Sequence, residues 1–162
     1  MKYKILNMLA AAAVVLVAAA CTVPAVGDED LEDLIIWEND GSHGRINWSG
    51  EYLFSSEGGA TGEELYAIPQ DLWDKMKSGS FYLEATIDAD GFILRITTGG
   101  WEITWTGQDI FKGDERIIVS DDGTAFKLEI NFTGDPILDY LDAHHLMFTG
   151  EGYTLQRLYL AE

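Results

Sequence analysis

From Leu34 onward the dominant periodicity of the sequence is two, and that most constrains how the chain can fold. Phe81, Leu83, Ala85 and Ile87 alternate with Tyr82, Glu84, Thr86 and Asp88, and Phe126, Leu128, Ile130 and Phe132 alternate with Ala125, Lys127, Glu129 and Asn131. Trp101, Ile103 and Trp105 alternate with Glu102, Thr104 and Thr106. Successive side chains of a pleated strand point to opposite faces, so each set predicts one apolar row on one face. Further strands are predicted at 34–37, 45–48, 52–55, 92–98, 116–120, 146–149 and 153–160. Turn residues punctuate them: Asn39-Asp40-Gly41, Asp88-Ala89-Asp90-Gly91, Gly99-Gly100 and Asp121-Asp122-Gly123. Asp122-Gly123 between two apolar runs is the clearest hairpin signal, since both residue types tolerate positive φ. Roughly ten short strands at this spacing point to a β-sandwich or jelly roll.

Two short helices interrupt the strands. Pro69-Gln70-Asp71 can open one that runs through Met76, with Leu72 and Met76 on one face. Asp135-Pro136 opens the second, with Ile137, Leu138 and Leu141 inward and Asp139 and Asp142 outward. The predicted fold class is therefore all-β, a β-sandwich or jelly roll with two short helices, spanning residues 34–162. No internal repeat is evident.

The N-terminus has a different character. Met1 to Ala20 carries Lys2 and Lys4 and then an apolar run from Ile5 to Ala20 that ends in small residues. At 1.5 Å per residue that run spans about 24 Å, short of a roughly 30 Å hydrocarbon core, so it reads as a signal peptide over residues 1–20. The sole cysteine, Cys21, follows immediately. Val17-Ala18-Ala19-Ala20-Cys21 resembles a bacterial lipobox, which implies that Cys21 is diacylated and becomes the mature N-terminus; an ordinary secretory cleavage that leaves a free thiol is the alternative. Ala18 stands where the lipobox usually has Leu. Residues 21–33 form a tether in which five acids fall between Asp28 and Asp33. That run resembles the surface-export signal of some Gram-negative lipoproteins, although it equally suits a self-repelling spacer.

Charge narrows the function classes. With 28 acidic and 10 basic residues the formal net charge is −18, which repels phosphate backbones and excludes a nucleic-acid partner. Five Trp, seven Tyr and seven Phe exclude a disordered acidic tail. A single cysteine excludes an intramolecular disulfide framework and a thiolate zinc cluster.

The order of the pieces carries a resemblance. Ile35-Ile36-Trp37-Glu38 opens the domain, Asn47-Trp48-Ser49-Gly50 follows, and Leu146-Met147-Phe148-Thr149-Gly150-Glu151-Gly152-Tyr153-Thr154-Leu155-Gln156-Arg157-Leu158-Tyr159-Leu160 closes it. Over residues 34–162 this is similar to the jelly-roll, galactose-binding-like domains of surface lipoproteins and polysaccharide-degrading enzymes from glycan-foraging Gram-negative anaerobes. Asn39 and His145 stand where that family has glycine. The resemblance implies the fold, a jelly-roll β-sandwich, more than the activity, because one fold hosts many functions.

Sugar recognition needs a flat aromatic face, with carboxylates, amides or Arg to read hydroxyls. The candidates for ligand binding are Trp48 with Asn47, and Trp101 and Trp105 with Arg95 on the preceding strand. On one strand Trp101 and Trp105 would lie about 13 Å apart, a platform for two or three sugars; the same row equally suits a core. Trp37 and Trp73 read as core residues. No metal is assigned. A structural Ca²⁺ at Asp88-x-Asp90-Gly91 or Asp121-Asp122-Gly123 competes with simple turn capping, and adjacent His144 and His145 point apart, so they make a poor zinc pair. His43, His144 and His145 are the only histidine bases, and no serine sits in a G-x-S-x-G elbow. The expected function is a lipid-anchored, non-catalytic glycan-binding module on the outer membrane, facing outward beside uptake proteins and needing no cofactor. A protein-interaction or assembly accessory subunit of the envelope is the alternative.

Overall fold

The computed structural model describes residues 34–46, 48, 52–57, 65–88 and 90–160, all within the compact unit Leu31–Glu162. The signal peptide, Cys21, the tether and Asn47 lie outside the described residues. In chain order the elements are β1 (Leu34–Glu38), β2 (Tyr52–Ser56), β3 (Leu65–Ile68), α1 (Gln70–Ser78), β4 (Ser80–Ile87), β5 (Ile93–Thr98), β6 (Ile110–Phe111), β7 (Ile117–Val119), β8 (Ala125–Asn131), α2 (Leu138–His144), β9 (Leu146–Glu151) and β10 (Tyr153–Leu160). They form two five-stranded sheets, ordered β1-β10-β4-β8-β7 and β3-β2-β9-β5-β6. The named pairs are antiparallel except β2 with β3. The chain is an all-β sandwich with two short helices, as the alternation predicts.

The predicted apolar rows meet in register. Phe81, Leu83 and Ala85 of β4 pair with Ile130, Leu128 and Phe126 of β8, and all six are buried. Leu94 and Ile96 of β5 and Leu146 and Phe148 of β9 join them in one core cluster. Phe92 stacks flat on Phe126 across the core, with ring centroids 4.3 Å apart. Burial of each such side chain contributes about 1.5–3 kcal/mol. The hairpin signal at Asp122-Gly123 does connect β7 to β8: Gly123 has φ 71°, and Asp122 Oδ1 accepts from the Thr124 N–H.

Both helices sit where the proline signals place them. Pro69 precedes α1, which buries Trp73 and Met76 and packs Leu72, partly buried, against the core. Ahead of α2, the Ile137 N–H donates to Asp135 Oδ1, and Ile137 and Leu141 are buried. The helices are tied together through Asp142, which accepts from Trp73 Nε1 at 2.9 Å and from Lys77 Nζ at 2.8 Å.

Two predicted strands are absent. Arg45 and Ile46 are loop and Trp48 is in a turn. Ile46 is buried, and its backbone exchanges bonds with Tyr153 and Gly152 without extending into a ladder. The Trp101–Trp105 segment is a turn that leads into a 3-10 turn, Trp105–Gly107, joined to the sheet by a single bridge between Thr97 and Thr104. Its alternation is coincidental. The Trp101 N–H bonds back to the Thr98 carbonyl and Trp101 takes φ 63°, so the chain folds over before a strand can form. Two short edge strands, β3 and β6, go unsignalled by periodicity.

Candidate functional site

On β5, Leu94 and Ile96 point into the core, so alternation sends Arg95 and Thr97 to the opposite face. On β9 the cross-strand partners of Arg95 and Thr97 are Thr149 and Met147. Met147 is fully buried yet lies outside the core cluster, as that second face requires. The β5–β6 register pairs Ile93 with Phe111 and Leu94 with Ile110, so one further step brings Asp109 opposite Arg95. The two side chains meet there in a bidentate ion pair: Arg95 Nε donates to Asp109 Oδ1 at 2.6 Å and Nη2 to Oδ2 at 2.8 Å. The Asp109 hydrogen bonds hold the Arg95 guanidinium above its usual value, against the effect of desolvation. A fork-shaped pair of this kind fixes geometry as well as charge.

Two tryptophans flank this pair. The Arg95 Cζ lies 5.4 Å from the Trp48 ring centroid and 5.6 Å from that of Trp101. Cation–π contacts at this range contribute about 0.5–1 kcal/mol each at exposed sites. Both rings remain open to solvent, with 43% of Trp48 and 45% of Trp101 exposed. The turn that presents Trp101 is closely held. The Gly99 N–H donates to the His144 carbonyl at 2.6 Å, and a Cβ on Gly99 would come within 2.7 Å of that oxygen. Thr98 Oγ1 donates to Glu102 Oε2 at 2.6 Å, and Glu102 Oε1 lies 3.1 Å from His144 Nδ1. The Thr98 hydrogen bond is the leading cause that keeps the Glu102 carboxyl below its ordinary value. A bulky L-residue in the left-handed region costs about 1–3 kcal/mol, and such strain persists where the surroundings over-determine it.

The structure thus brings together three of the candidates, Trp48, Arg95 and Trp101, while Asn47 lies outside the described residues. Trp105 is not on this face. It is 7% exposed, donates Nε1–H to the Asn131 carbonyl and packs edge-on against Phe132, so the two-tryptophan strand platform is replaced by a core residue and a turn residue. Trp73 is in the core as predicted, and Trp37 packs against it half-buried. Sequence reasoning missed Asp109 and Phe111. Phe111 is 50% exposed and shares the outward parity of Ile93 and Arg95, which extends the aromatic surface toward the sheet edge. The only local signal was the pair Ile110-Phe111 between Gly107 and Gly113, too brief to register as a strand.

A smaller polar concavity of about 230 Å³ lies among Ser42, His43, Arg45, Ile46, Tyr52 and Tyr66. There Tyr66 Oη lies 2.7 Å from His43 Nδ1, and burial pushes the Tyr52 phenol up to about 12. In the acidic turns, Asp122 bonds Ser120 and Thr124, and Asp88 accepts from Thr154. Among the described residues no group of three or more His, Cys, Asp or Glu side chains is placed to hold a metal.

No protein-family model matches the chain, and no curated protein matches it. Among solved structures it is similar to SGBP-B of the Bacteroides ovatus mixed-linkage glucan utilization locus, in complex with a mixed-linkage heptasaccharide. That likeness has 17% identity and a TM-score of 0.48, and it covers 78% of this chain. The chain spans 29% of that protein's length.

Proposed function

We propose that this protein is a non-catalytic glycan-binding module, held through a lipid on Cys21 at the outer membrane and facing outward, where it presents polysaccharide to neighbouring uptake proteins. One observation carries the binding reading: two tryptophans, each nearly half exposed, lie against one ion-paired arginine that is itself partly exposed. An aromatic ring covers the C–H surface of a sugar, while a fixed guanidinium and carboxylate read its hydroxyls. Because these side chains already hold one another in place, little rotamer entropy remains to be lost on binding. The membrane part of the reading rests on the sequence, with Cys21 directly after the apolar leader.

Affinity electrophoresis through gels cast with plant and host polysaccharides tests it. At least one polysaccharide is expected to retard the protein, with mobility restored by Trp48→Ala or Trp101→Ala. No retardation across a broad panel would remove the reading.

A second reading, an assembly accessory subunit that binds protein, is favoured by a different surface. Ile118 on β7, an edge strand of its sheet, is 71% exposed and lines a largely apolar groove of about 350 Å³ with Val119, Ala125 and Phe126, bordered by Lys127 and Gln156.

A further inference from the structure

We propose that the Trp48–Arg95–Trp101 face selects uncharged glycan and rejects uronate-bearing chains, with Asp109 the residue that sets this choice. The inference rests on the glycan-binding reading above and adds the ligand class.

Arg95 would be the natural receptor for a sugar carboxylate, since a guanidinium fork matches a carboxylate in two parallel hydrogen bonds. In this structure the Nε–Nη2 edge of that fork is already engaged. Asp109 takes both Nε and Nη2, and the Asp109 oxygens come from the same sheet face by cross-strand register. A uronate would have to displace Asp109 or take the remaining Nη1–Nη2 edge of a guanidinium whose charge Asp109 already offsets. A chain of net charge −18 adds a longer-range repulsion. Glu102 also follows Trp101 directly and is held in its charged form by Thr98.

The same pair suits a neutral sugar well. The guanidinium keeps N–H groups that do not face Asp109, and each carboxylate oxygen keeps a second lone pair. Side by side they offer donors and acceptors, as a pair of neighbouring hydroxyls requires, because each hydroxyl both gives and accepts a hydrogen bond. Trp48 and Trp101, with ring centroids 5.4 and 5.6 Å from the guanidinium carbon, supply the apolar faces beside it. Phe111, half exposed and diagonal to Arg95 across β5 and β6, continues that surface, so an extended chain has somewhere to run.

The full chain in detergent, titrated calorimetrically with uncharged glucan, mannan and xylan oligosaccharides and separately with oligogalacturonate, tests the inference without any variant. At least one uncharged oligosaccharide is expected to bind tenfold or more tighter than oligogalacturonate at physiological ionic strength. Asp109→Asn, with its fold checked by near-ultraviolet circular dichroism, is expected to narrow that preference at least fivefold by freeing the Arg95 fork. Equal or tighter binding of oligogalacturonate by the wild type would overturn the ligand class and leave the glycan-binding reading standing. An unchanged preference in folded Asp109→Asn would overturn the role of Asp109. Failure to bind either kind of sugar would overturn both readings together.

Discussion

Trp101 and Trp105 stand four residues apart and have opposite duties. Trp105 is almost wholly buried and bonded to the Asn131 carbonyl, so truncation leaves a cavity and an unpaired backbone oxygen. Trp105→Ala is expected to lose about 3–5 kcal/mol of unfolding free energy in a urea titration. Trp48 and Trp101 have nearly half their surface in solvent, and Trp48→Ala or Trp101→Ala is expected to shift the same titration by about 1 kcal/mol or less. If Trp101→Ala cost as much as Trp105→Ala, the ring would be a structural member and its display for a ligand would be wrong. The left-handed backbone at Trp101 fits the second duty, because a residue chosen for stability alone at φ 63° would be glycine.

At the scale of elements, β5 and β9 approach closely at Gly150. Gly150 has φ 129°, and a Cβ there would fall on the Ile93 carbonyl oxygen, which no side-chain rotation relieves. Gly150→Ala is therefore expected to cost at least about 1–3 kcal/mol and to loosen the β5–β9 ladder under Arg95, read as faster amide exchange at Leu94 and Phe148. The turns bring a pH signature. Hydrogen bonds from Arg116 hold the Asp114 carboxyl at about 2, those from Ser120 and Thr124 hold Asp122 at about 2, and Lys77 and Trp73 lower Asp142. Each folded-state value lies below the ordinary 3.8, so each contribution is present above about pH 4 and is lost as pH falls toward about 2. The thermal midpoint is expected to be flat from pH 6 to 5 and to fall between pH 4 and 2, with Asp114→Asn flattening part of that drop. Alternation is clearest in strands with one buried face and one partly exposed face, such as β4 and β8, where burial itself writes the pattern. It failed at Trp101–Trp105, where alternate apolar residues serve a turn, and at β6, where two residues are too few for a period to appear. The site was partly legible for the same reason. Exposed Trp and Arg in an acidic chain stand out by type, whereas Asp109 acquires its meaning only from the register that sets it opposite Arg95.

At the scale of the whole molecule, the sandwich follows an apolar N-terminal stretch, a cysteine and an acidic run in the sequence. Two or more acyl chains, at about 0.8 kcal/mol per buried methylene, would anchor it stably. Cys21→Ser is expected to move the protein from the membrane fraction to the soluble fraction of the cell envelope; unchanged fractionation would mean that Cys21 is not the anchor. The glycan-binding claim itself is tested most directly by one affinity ratio. Wild type and the Trp48→Ala/Trp101→Ala double variant are titrated with the polysaccharide that retards the wild type most, each with its thermal midpoint measured alongside. The expected result is at least a tenfold loss of affinity, about 1.4 kcal/mol, with a single cooperative thermal transition retained. Equal affinity in a folded double variant would contradict the account and move any binding site off this face of the sandwich.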